Sequence, residues 1–89
     1  MFVSVIHHIT DPDRFFAMVA ENSDKIPPDL RLPQYFTSAD RSTTVCLWEA
    51  PSVARVQELL EPLSAGICQN EYAQVDTALS SGLPAATVA

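Results

Sequence analysis

The sequence predicts an α+β fold, a four-stranded antiparallel sheet with two helices on one face. Three observations carry this expectation. Four short runs suit β-strands, and three of them are rich in β-branched or aromatic residues. Two stretches between them repeat apolar residues at i, i+3, i+4 spacing, the period of a half-buried helix. Residues suited to helix capping stand at the head of both stretches. The order that results is β-α-β-β-α-β.

The first strand is "FVSVIHH", residues 2–8, with Val3, Val5 and His7 on one face and Phe2, Ser4, Ile6 and His8 on the other. "TDPDRFFAMVAENSDK" then reads as a helix. Asp11 is its cap, Pro12 its first residue, and Asp13 lies near the positive end of its dipole. Phe15, Phe16, Val19 and Ala20 form its apolar stripe. "IPPDLRLP" ends the helix, because proline cannot continue one. Residues 32–38 and 43–50 form a hairpin around "SADRS", whose Asp and Ser side chains favour a turn. Ser52 caps the second helix. Its core face is Val53, Val56, Leu59, Leu60 and Leu63, with Arg55, Glu58 and Glu61 turned away. Pro62 is expected to end or tighten it, and Gly66 to serve as its C-cap. A last strand falls near 70–77.

This order is the split βαβ, or ferredoxin-like, plan. The domain spans residues 1–78. Residues 79–89 are expected to form a flexible tail or an arm that orders on a dimer partner. Strands 1 and 3 are expected side by side and parallel at the centre of the sheet. Both carry apolar residues on both faces, as in Val45 and Leu47 against Cys46 and Trp48. Two helices cover one face only. The other face would expose too large an apolar patch, so a homodimer packed sheet to sheet is expected.

Composition narrows the functional classes. The chain has 89 residues, 47% hydrophobic and 18% charged, with a net charge of −6. Its five basic residues are scattered, which argues against nucleic acid and against an anionic membrane surface. No apolar run approaches the roughly 20 residues that span a bilayer. No secretory leader pattern opens the chain, so a cytoplasmic location is expected. Cys46 and Cys68 match no zinc spacing and read as small hydrophobes.

The chain's two histidines, His7 and His8, close strand 1. With strands 1 and 3 parallel, Trp48 and Glu49 would share their end of the sheet, and Gln34 and Tyr35 would lie nearby. The expected ligand-binding set is therefore His7, His8, Tyr35, Trp48 and Glu49. Imidazole with carboxylate suits nickel, zinc or copper, which makes His7 and His8 candidate metal ligands. Adjacent strand residues point to opposite faces, however, so one histidine at most joins a given site. The alternatives are a histidine acting as an acid or base, and two histidines that only pack and cap. Glu49 must emerge at a rim or be paired, since an isolated buried carboxylate is costly. No glycine-rich phosphate loop or nucleophile elbow is present.

On this order, the chain resembles the dimeric α+β barrel superfamily. The "HH" at 7–8, the "TSADRST" hairpin and "VCLWEAPSVARVQELL" resemble small bacterial proteins of the DUF4242 type over about residues 2–76. Trp48 stands where that phrase varies. The resemblance implies a dimer. It also raises nickel or another divalent transition metal as a cofactor, because a member of that group is described as nickel-binding. The wider superfamily includes cofactor-independent monooxygenases and small isomerases that work in a barrel cavity. That analogy nominates His7 or His8 with Tyr35 and Trp48. The expected function is thus a small homodimeric protein binding a metal ion or small ligand near His7 and His8. A cofactor-free monooxygenase or isomerase is the alternative.

Overall fold

A computed structural model describes residues 1–87. The elements are β1 (Phe2–Ile9), α1 (Pro12–Asn22), β2 (Arg31–Thr37), β3 (Thr43–Glu49), α2 (Val53–Ser64) and β4 (Cys68–Gln74), followed by a 3-10 turn at Thr77–Leu79. The sheet order is β2-β3-β1-β4, and every neighbouring pair is antiparallel. This is the ferredoxin-like α+β fold.

The expected parallel pairing of strands 1 and 3 is corrected. β1 and β3 run antiparallel, with Phe2 opposite Glu49 and His8 opposite Thr43. The crossover through α1 makes β1 parallel to β2. The hairpin then makes β3 antiparallel to β2, hence also to β1, between which it inserts. Trp48 and Glu49 therefore lie beside Val3 and Phe2, at the end of the sheet remote from His7 and His8.

Local chemistry sets the element ends. The Asp11 side chain accepts from the Arg14 amide at 3.2 Å, and Ser52 Oγ from the Arg55 amide at 3.1 Å. α2 runs through Pro62 to Ser64, and Gly66, at φ +75°, supplies the left-handed residue that stops it. The hairpin tip is held by the Asp40 carboxylate. It accepts from Ser38 Oγ, Ser42 Oγ and the Ser42 amide at 2.7–3.0 Å. These hydrogen bonds, Ser38 first, hold its pKa down to about 2. In β2 the register slips by one residue between Arg31 and Gln34, where Pro33 lacks an amide to donate.

The helices cover the face that bears Val3, Val5, His7, Thr44, Cys46 and Trp48, all buried. The two helices pack unequally. α2 buries Val56 and Leu60. α1 buries Phe15 alone, leaving Phe16, Met18 and Val19 half-buried and Ala20 on the surface. Helix α1 thus leaves space between itself and the sheet.

The opposite face is covered unevenly. At its Phe2 end the chain's own C-terminal segment returns. Ala85 O accepts from Arg31 Nη2 at 3.1 Å, and the Thr87 amide and hydroxyl reach Glu49. Phe36 and Val45 are 67% and 40% exposed farther along that face. Of the expected tail, positions 88 and 89 lie outside the described residues.

Candidate functional site

The space under α1 is an apolar cavity of about 250 Å³ between the sheet and both helices. Its floor is Leu32, Tyr35 and Thr37 of β2, Thr44, Cys46 and Trp48 of β3, and His7 of β1. Phe15, Phe16 and Val19 of α1 and Leu59, Leu60 and Leu63 of α2 form the roof. These residues share the cavity because alternate strand positions point to one face, and the antiparallel register aligns His7 with Thr44 and Tyr35 with Cys46. The Thr37 and Thr44 hydroxyls are bonded to each other at 3.0 Å. Little other polarity faces the ligand space.

His7 is the principal exception. It is 3% exposed, and its ring lies 5.2 Å from that of Phe15. Nδ1 is 2.5 Å from Asn70 Oδ1. The amide end of Asn70 donates to Glu61 Oε2 and to Ser64 Oγ, each at 2.8 Å. The orientation of Asn70 is thereby set with its oxygen toward the histidine. An oxygen accepts, so Nδ1 carries the proton and Nε2 the lone pair. Tyr72 donates to the same Glu61 oxygen at 2.7 Å, and the Cys68 thiol donates to Asn70 Oδ1 at 3.2 Å. Nε2 has no hydrogen-bond partner among the described residues, yet it is not among the atoms sealed from solvent. A residue so buried reaches open space through the cavity it lines.

Electrostatics agrees with a neutral ring. Burial pushes the His7 pKa down, opposed by the Asn70 hydrogen bond and the Glu61 charge. Glu61 itself is held low by hydrogen bonds from Tyr72 and Asn70. Burial raises the Cys46 thiol to about 12, so it meets the cavity as a neutral, apolar group. The pH consequence follows from the direction of the His7 shift. Below the unfolded-state value near 6.5 the unfolded chain takes up a proton that the folded chain resists. The His7 contribution is fully present above that value. It is lost as pH falls, until the lower folded-state pKa is reached. Urea unfolding at pH 7.5 and at pH 5 should therefore show a larger acid-side loss in wild type than in His7→Gln. Equal losses would refute the assignment.

Three of the five residues expected at one site, His7, Tyr35 and Trp48, line this cavity. Tyr35 stands at the rim, half in solvent. His8 lies on the opposite face, exposed, with Nε2 3.2 Å from Glu71. Glu49 is also on the opposite face, at the far end. It is 2% exposed and paired with Arg31 at 2.9 Å, so it is held rather than emerging at a rim. Among the described residues no group of three or more His, Cys, Asp or Glu side chains is placed to hold a metal ion.

Sequence reasoning missed Asn70, Glu61 and Ser64. Glu61 was assigned to the solvent side of α2, and only the packing of α2 on β4 brings it to Asn70. The one available signal was Asn70 and Tyr72 on the same face of a strand, two residues apart.

Trp48 lines the cavity, but not through its indole nitrogen. Its Nε1–H is sealed from solvent and has no acceptor among the described residues. A buried donor left unpaired costs about 1–3 kcal/mol.

The fold and site together define a small α+β protein with an internal apolar pocket. Comparisons with family models, curated proteins and solved structures found no match. Among the described residues, no helix is long and apolar enough to cross a membrane.

Proposed function

We propose that this protein binds a small, mostly apolar molecule in the cavity beneath α1, and that His7 Nε2 accepts a hydrogen bond from a hydroxyl or amine of that molecule. The carrying observation is a neutral imidazole whose proton is held on Nδ1 by Asn70, leaving the Nε2 lone pair toward an apolar space. A concave, apolar pocket with a few placed polar groups is the usual form of a small-ligand site. The volume suits a ligand of two fused rings at interior packing density. The Asn70–Glu61 network also favours a second reading. A base so oriented can take a proton from a bound acid, the step a cofactor-free isomerase needs.

We further propose that two copies associate through the open sheet face. Phe36 and Val45 are exposed there, with Ile6 and Leu47 half-buried beside them.

One sample tests both parts. 2-Naphthol is expected to bind saturably in calorimetric titration. Val19→Phe, which fills the cavity from α1, is expected to remove that binding while the circular dichroism spectrum is retained. Light scattering on the same sample should give twice the 9.7 kDa chain mass. Absence of saturable binding, or binding indifferent to Val19→Phe, defeats the ligand proposal. A 9.7 kDa species defeats the dimer.

A further inference from the structure

Four residues that line the cavity are also exposed to solvent: Ser23 and Lys25 in the segment after α1, and Tyr35 and Thr37 of β2. A residue that does both stands where the cavity meets water. The mouth therefore lies between the end of α1 and β2, an edge strand of the sheet. Three of these residues carry hydroxyls and the fourth an ammonium group. Among the described residues, Lys25 is the one formally charged side chain that lines the cavity, and no carboxylate does. Arg31, Arg41 and Arg55 each have a carboxylate partner, whereas Lys25 makes no ion pair among the described residues. Asp24 precedes it in the chain but does not line the cavity. A chain of net charge −6 thus sets a cation at the entrance of an apolar cavity.

We infer that the ligand is an amphipathic carboxylic acid, with its apolar body inside the cavity and its carboxylate at the mouth beside the Lys25 ammonium. This inference rests on the proposed cavity binding and adds the chemical class of the ligand. A carboxylate suits the mouth because it keeps its contact with water there and gains a nearby positive charge. The reverse orientation is disfavoured, since the inner wall is mostly apolar and an unpaired buried carboxylate is costly. The inner histidine offers no cation to offset that cost, because burial keeps its ring neutral. Distance agrees with this orientation. β1, which carries His7, lies two strands in from β2. At the usual strand spacing that is about 10 Å. A ligand of two fused rings that donates a hydroxyl to His7 Nε2 brings its far end to the β2 edge. The flexible stem of Lys25 lets the ammonium follow the carboxylate there. The negative charge of the rest of the chain acts from farther away, and exposed charges beyond about 10 Å are largely screened at about 0.1 M salt.

The test is calorimetric titration with probes that share one ring system: 2-naphthol, 6-hydroxy-2-naphthoic acid, its neutral amide 6-hydroxy-2-naphthamide, and the cationic 6-(aminomethyl)-2-naphthol. At low ionic strength the acid is expected to bind about fivefold more tightly than the amide, the worth of one exposed ion pair. The cationic amine should bind more weakly than the amide. The net charge of −6 acting alone would give the opposite order. The advantage of the acid should fade as salt is raised to about 1 M, where the screening length is about 3 Å. Lys25→Gln should remove that advantage. Arg14→Gln deletes a charge that does not line the cavity and should leave it in place. Equal affinities of acid and amide, an amine that binds more tightly than the acid, or an advantage that survives Lys25→Gln overturns the inference. The wild-type probe series is decisive without any variant. If 2-naphthol itself does not bind, the underlying cavity proposal has failed. If 2-naphthol binds and the acid gains nothing over the amide, the assignment of an anionic ligand alone has failed.

Discussion

Arg31→Ala is expected to lower the unfolding free energy by about 3 kcal/mol, because it removes the cationic partner from a carboxylate taken almost completely out of water. For a chain of this size that corresponds to a fall of roughly 12–24 °C in Tm. The partners are unequal. Glu49 is 2% exposed, whereas the Arg31 side chain is 33% exposed and can turn to solvent. Glu49→Ala should therefore cost less than Arg31→Ala, about half as much, although it also removes the acceptor for Thr87. Replacing both together with Met and Leu should recover most of the loss. Thermal unfolding of the three variants decides the matter. If Glu49→Ala costs as much as Arg31→Ala, the pair is not organised around a buried carboxylate.

Phe15→Ala is expected to cost about 3–4 kcal/mol in urea unfolding. Phe15 is the one fully buried residue of α1, in edge contact with Phe16 and tilted against His7. Its removal enlarges a cavity that already exists and frees the helix that roofs it. Binding of 2-naphthol should weaken in the same variant. Val19→Ala supplies the contrast. Val19 is half-buried over the cavity, so its truncation loses fewer contacts and should cost under about 1 kcal/mol. Equal costs for the two substitutions would mean that α1 packs uniformly on the sheet and that the cavity is not maintained in solution.

Phe15 and Val19 illustrate how far a periodic pattern can be read. Both belong to the predicted stripe, which turns Phe15, Phe16 and Val19 toward the sheet and leaves Ala20 on the surface. Spacing states which side of a helix turns inward. How closely that side approaches the sheet depends on the connections and on the bulk of the other layer. The cavity arises from that approach, which no local pattern contains. Glu61 shows the same limit. Its helical position places it away from the leucines, and so toward solvent by pattern alone. Only the lie of α2 across β4 brings its carboxylate to Asn70 and Tyr72.

His7 and His8 divide as the alternation of a strand requires, with one under the helices and one on the open face. Their neighbours could not be read in the same way, because they depended on the sense of β3. The histidine that faces the helices is the one that lines a cavity. The cavity lies within the single chain, between sheet and helices.

By itself the sequence determined the element order, both N-caps, the turn at Asp40, the stop at Gly66 and the face on which each strand residue stands. These are short-range matters, decided by dihedral preference, capping and a repeat of two or 3.6 residues. The tertiary structure alone decided that Trp48 lies far from His8, that Glu49 is sealed beside Arg31, and that Asn70 holds the proton on His7 Nδ1. Each of these rests on contacts between residues distant in the chain. Such contacts are set by strand sense and helix placement, and are satisfied only once every layer of the fold is in place.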